Sequence, residues 1–173
     1  MNQKGFTFVE LLISLTLTLL LATGLAKVMV QNVKVNKAQQ MHAQAQSNAI
    51  NTMEMVVAKL RSAGWDPKGA GIDTLNLVSA SEIEIFADFD GDELTESLNE
   101  QVLIKLEDGQ INWTPGVDED SMIMAKNISL LEFVPNGATV TVTITAQSPE
   151  PDPRNGEFIE YSVSNDVVLR KLL

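Results

Sequence analysis

Lys4-Gly5-Phe6-Thr7-Phe8-Val9-Glu10-Leu11-Leu12-Ile13-Ser14-Leu15-Thr16-Leu17-Thr18-Leu19-Leu20-Leu21-Ala22 stands near the start of the chain, and its reading decides the fold. After Glu10 the run carries no charge, and Phe6 to Ala26 is long enough to cross a bilayer, which takes about 20 apolar residues. A carboxylate near the start of such a segment is costly and needs a partner. A cation at matching depth on an adjacent helix would offset that cost and set the stagger between two chains. The alternative is that Glu10 lies at the interface and reaches into the headgroups.

Gly5-Phe6-Thr7-Phe8-Val9-Glu10-Leu11-Leu12, behind the short basic leader Met1–Gly5, resembles the processing site of type IV prepilins and type II secretion pseudopilins. The resemblance implies that a prepilin peptidase cuts between Gly5 and Phe6 and methylates the new amine. It also implies that Glu10, the fifth mature residue, neutralises a neighbouring subunit's N-terminal amine in a filament. A secretory signal peptide is the rival reading, with cleavage at Ala22-Thr23-Gly24 or Gly24-Leu25-Ala26. Against it, Glu10 interrupts the apolar core early, and the helical pattern runs past both sites.

The remainder of that pattern is amphipathic. Val28, Val30, Val33, Val35, Ala38, His42, Ala45, Ala49, Met53, Val56, Val57 and Leu60 recur mostly at three- and four-residue steps, with Gln and Asn opposite. No proline occurs before Pro67, and Gly64 is a helix stop. One helix from about Phe6 to Ala63 is expected, roughly 85 Å long. The expected divisions are a leader at 1–5, a membrane or filament-core helix at 6–27, its amphipathic continuation at 28–64, and a β domain at 65–173.

Beyond residue 70 the pattern alternates, as strands do. Expected strands are Leu75–Val78, Ile83–Ala87, Val102–Leu106, Ile111–Trp113, Ser129–Val134, Thr139–Thr145, Phe158–Val163 and Val167–Arg170. Asp108-Gly109 and Asn136-Gly137 mark two hairpins. The fold class is α+β: a long N-terminal helix packed on a small antiparallel β-sheet, pilin-like by resemblance. The closing strand also resembles the end of larger minor pilins of the PilW type and of the J-type pseudopilin.

Composition removes several functions. The chain has 23 acidic and 12 basic residues, net −11, and loses one more positive charge with Lys4 if the leader is cut. Such a balance argues against direct nucleic-acid binding, which needs Lys and Arg to replace counterions. With no cysteine and a single histidine, thiolate chemistry, disulfides and a His-rich zinc site are excluded. Met53, Met55, Trp65 and Trp113 are read as core. Asn112-Trp113-Thr114 and Asn127-Ile128-Ser129 match the glycosylation pattern, and nothing is built on them.

The second candidate site is the acidic loop from Asp88 to Glu96. Carboxylates at alternate positions around Gly91 can wrap Ca²⁺, with Asp88, Asp90, Asp92 and Glu96 as candidate ligands. The spacing is not that of an EF-hand: glycine is fourth from Asp88, and the twelfth position is Asn99. The other reading is a polar turn. Asp118-Glu119-Asp120 reads as a solvated loop.

The functional expectation is therefore a non-enzymatic minor pilin, a priming or tip subunit of a type IV pilus. A J-type pseudopilin of a type II secretion system is the close alternative. A membrane-anchored periplasmic calcium- or ligand-binding module is the alternative of another class. The expected partners are a prepilin peptidase, other pilins or pseudopilins, an inner-membrane assembly platform and lipid. The precursor is expected in a bacterial inner membrane with its globular domain in the periplasm, and the processed chain in a filament.

Overall fold

The computed structural model describes residues 7–116 and 119–169. Helix α1 (Phe8–Leu60) is 53 residues without a break, about 80 Å at roughly 1.5 Å per residue. Its interior has no proline to remove a hydrogen bond. After the cap at Arg61, Gly64 takes a φ of 71° and donates its N–H to Phe86 O at 2.8 Å. The stop read at Gly64 is thus the hinge into the β domain, one turn beyond the last regular residue.

The two halves of α1 meet different surroundings. Every residue from Thr7 to Lys37 is exposed. Burial starts at Ala38 and follows Met41, Ala45, Ala49, Met53, Val56 and Leu60, a stripe at three- and four-residue spacing. Alanines at 38, 45 and 49 let the backbone approach the sheet closely. Val28, Val30, Val33, Val35 and His42, which the periodicity groups with this stripe, are exposed. The reason is axial: the β domain begins to cover the helix only at Ala38. His42 meets Tyr161 edge-on, with ring centroids 6.1 Å apart.

The β domain holds two antiparallel sheets where the sequence suggested one. The first has the order β1 (Leu75–Ser79), β2 (Glu82–Phe86), β3 (Gln101–Glu107), β4 (Gln110–Thr114), β5 (Met122–Lys126). The second has β6 (Ile128–Asn136), β7 (Thr139–Gln147), β8 (Glu160–Val168). Asn127, at φ 57°, is the only residue between β5 and β6 and turns the chain from one sheet to the other. Alternation does the packing: Ile83 and Ile85 pair with Ile104 and Val102, and all four are buried. From the second sheet, Leu131, Phe133, Val140, Val142 and Ile144 join the same core, and β7 and β8 lie against α1. Asp108 and Gly109 both have positive φ, as the tight hairpin demands.

Three readings need correction. Strand β5 was not expected; its Met122-Ile123-Met124 run lacks the alternation that marks a strand. The two expected strands at 158–163 and 167–170 are one strand through 160–168, because Ser162, Ser164 and Asp166 bond to Thr145, Thr143 and Thr141 of β7. Met55 and Trp65 are about two-fifths exposed, not core, whereas Met53 is buried and Trp113 packs against the core.

The close helix–sheet contact yields a prediction. Ala49→Leu forces extra volume into a fully buried site and should cost about 1–3 kcal/mol. Ile50→Ala, one residue round the helix and exposed, should cost under about 1 kcal/mol. Urea unfolding of the full chain in detergent checks both.

Candidate functional site

The N-terminal site is built at the first turn of α1. Thr7 is the N-cap, and it forms a reciprocal capping box with Glu10. Glu10 Oε2 accepts the Thr7 N–H at 2.9 Å and lies 2.9 Å from the Thr7 hydroxyl, while Glu10 N–H donates to Thr7 Oγ1 at 3.3 Å. Within a single chain the carboxylate therefore has a partner already, and it sits at the positive end of the helix dipole. Gly5 and Phe6, the expected cleavage pair, lie outside the described residues, as does Arg170 at the end of the last expected strand.

Downstream, the apolar segment hides its hydroxyls. Ser14, Thr16, Thr18 and Thr23 donate to the carbonyls of Leu11, Ile13, Ser14 and Leu20 at 2.7–3.0 Å. A helix that satisfies its own side-chain donors can present an apolar surface to lipid or to another helix. α1 is long and apolar enough to cross a membrane, with a mean hydropathy of 2.0 in its most apolar window.

The acidic loop sits at the other end of the helix. Lys59 joins the two, reaching Asn99 Oδ1 at 3.4 Å while lying 4.2 Å over the Trp113 ring. Burial there pushes the Lys59 amine below its ordinary pKa. Two acids of the loop are fully buried, Asp88 and Glu100. Asp88 Oδ1 accepts the Gly91 N–H and its Oδ2 the Glu93 N–H; Glu100 accepts from Phe89, Asp90 and Ser97. These carboxylates tie the loop by charge-assisted bonds to backbone N–H groups.

Of the four expected calcium ligands, the structure brings together Asp88 and Asp90. The third carboxylate within 4.8 Å of both belongs to Glu100. Asp92 and Glu96 are exposed and outside that group among the described residues; Asp92 caps the Leu94 N–H instead. Sequence reading missed Glu100 because it lies beyond the run of alternating acids, at the entry to β3. Only its closure across the loop, by way of positive φ at Glu93 and Asn99, makes it a neighbour. Asp118 lies outside the described residues, and Glu119 and Asp120 are exposed.

Removing the buried carboxylate should loosen this loop selectively. Glu100→Ala leaves three N–H groups without an acceptor and should cost about 3 kcal/mol. Amide exchange at Phe89 and Ser97 should accelerate with it. Glu96→Ala should change stability by no more than about 0.5 kcal/mol.

Comparison with known proteins bears on the same N-terminal segment. Residues 1–26 match the family model described as the prokaryotic N-terminal methylation motif. No curated protein and no solved structure gives a significant match to the chain. The matched motif implies processing by a prepilin peptidase and assembly with other pilins. It covers the cap, Glu10 and most of the apolar segment, and through it this chain carries the signature of the type IV pilin-like proteins.

Proposed function

We propose that this chain is a structural subunit and not an enzyme: a minor pilin that primes or tips a type IV pilus after cleavage between Gly5 and Phe6. The observation that carries the reading is the uncovered half of α1. Some 30 residues of exposed helix project from the β domain, and the first of them, Phe8 to Ala26, form an apolar run with a single carboxylate, Glu10, at its start. A surface of that kind needs hydrocarbon or other helices around it. Leader removal supplies an amine at Phe6, and helix exchange from the bilayer to a filament core replaces lipid with neighbouring helices. Glu10 then keeps its place on the first turn and gains a neighbour's ammonium, a pairing favoured in a low-dielectric core.

Glu10→Val tests this. The variant should accumulate in membranes near the wild-type level yet be at least tenfold depleted from sheared filaments. Incorporation at the wild-type level would contradict the reading. A J-type pseudopilin would use the same chemistry in a different machine. It predicts that the chain disappears from surface filaments but remains essential to secretion.

One observation favours a second reading, calcium held by the β domain. Asp88, Asp90 and Glu100 converge without an ion pair to any basic side chain among the described residues. Like charges so close are relieved by a cation. The thermal midpoint should then rise by about 4 °C in calcium over chelator, a gain of roughly 1 kcal/mol. Asp90→Asn should abolish the rise. An equal rise in magnesium or sodium would leave these acids with their loop-tying role alone.

A further inference from the structure

Along the seam between α1 and the first sheet runs a groove that neither the N-terminal site nor the acidic loop uses. It encloses about 350 Å³ and is lined by Met55, Ala58 and Lys59 of α1, Trp113 of β4, and Ile123 and Met124 of β5. Small-molecule sites have this character: some hundreds of cubic ångströms, mostly apolar walls, and a few polar groups that orient the occupant.

Two local features open the groove. Met55, Ala58 and Lys59 stand at three- and four-residue spacing and so share one helix face. That face lies beside the buried stripe of Met53, Val56, Val57 and Leu60. Ala58 is exposed there and too small to fill the space. On the strand side, consecutive residues ordinarily point to opposite faces of a sheet, yet Ile123 and Met124 both reach the groove. A bulge is the reason. Ala125 pairs with Ile111 and Ile123 with Asn112, which leaves Met124 as the extra residue of β5. Met55 and Ile123, both large and apolar, are left 41% and 53% exposed.

The one charge on the groove is positive. The chain has 23 acidic residues, and none lines it. Lys59 is half-buried, and among the described residues no carboxylate lies within ion-pair distance of its amine. Its partners are the face of Trp113 at 4.2 Å and Asn99 Oδ1 at 3.4 Å, the latter longer than the usual N–H···O bond. Burial already pushes this amine below its ordinary pKa, so an arriving anion would relieve a desolvated cation. The two thioethers add a preference of their own, because sulfur packs well against aromatic rings and methionine adapts to their shape.

We infer that this groove binds a small aromatic carboxylate. The ring lies between Met55 and Met124 against Ile123, above Ala58, and the carboxylate takes the Lys59 ammonium in place of Asn99. Trp113 holds the same ammonium from its other side. The site stands independently of assembly into a filament.

The test uses the full chain, isotope-labelled at its methionine methyls and held in nanodiscs of zwitterionic lipid, titrated with naphthoate. The Met55 and Met124 signals should shift together and saturate, with a Kd at or below about 1 mM. Those of Met29 and of the buried Met41 and Met53 should stay in place, and the latter two report that each variant is folded. Lys59→Gln removes the charge while keeping most of the stem. It should weaken naphthoate at least tenfold and leave the neutral analogue, naphthamide, unchanged. Ala58→Leu, at an exposed position, fills the groove and should abolish the shifts. Equal affinity for naphthamide and naphthoate, or an unchanged affinity in Lys59→Gln, would reduce the groove to an apolar surface and overturn the proposal. Octanoate bound as tightly as naphthoate would overturn it by assigning the groove to aliphatic chains. Shifts confined to Met29 would place the probe in the bilayer and do the same, as would shifts that survive Ala58→Leu or never appear.

Discussion

The unbroken run of α1 from Phe8 to Leu60 is the constraint on which everything else depends. One element has two halves: its last six turns pack on the β domain, and its first five or so expose an apolar surface long enough to cross a membrane. Helix propagation makes this possible, since each added residue gains a bond without a new nucleation step. No proline interrupts it, and its one glycine, Gly24, lies within the unbroken run. The distance between Glu10 and the acidic loop is thereby fixed.

The β domain acts as a clamp on that helix. Its second sheet supplies most of the contact, through β7 and β8, and the acidic loop leaves the first sheet at the end where β2 passes into β3. Asn127 is the pivot between them. The buried carboxylates at Asp88 and Glu100 are the cost of giving an acidic loop a defined shape, and each is offset by backbone N–H donors. Lys59 then connects that shape to α1. The loop is thus an ordered surface at a fixed height on the helix, carrying exposed leucines that a merely solvated turn would not need.

Much of this was legible in the sequence where the signal is local or periodic. The uninterrupted helix, the Asp108-Gly109 hairpin and the alternating β2 and β3 all follow from spacing of three to four, spacing of two, or a turn pair. What was not legible depends on contacts distant in sequence. Val28 to Val35 share the helical period of the buried stripe, and only the position of the β domain shows that they are uncovered. Strand β5 is held by its neighbours, including Asn48 of α1 donating to Lys126 O at 2.7 Å, not by its own pattern. Ser164, Asn165 and Asp166 look like a break between two strands until β7 is placed beside them. Glu100 joins Asp88 only through the closure of the loop.

The central claim is that the first turn of α1 is a processed end. Intact mass and N-terminal sequence of the protein recovered from its own host's membranes test it most directly. A chain that begins at Phe6 with a methylated amine is expected. A chain that begins near Leu25 or Lys27, or one that retains Met1–Gly5, would contradict it: the first would detach the β domain from its apolar helix, and the second would leave Glu10 without a neighbouring amine to meet.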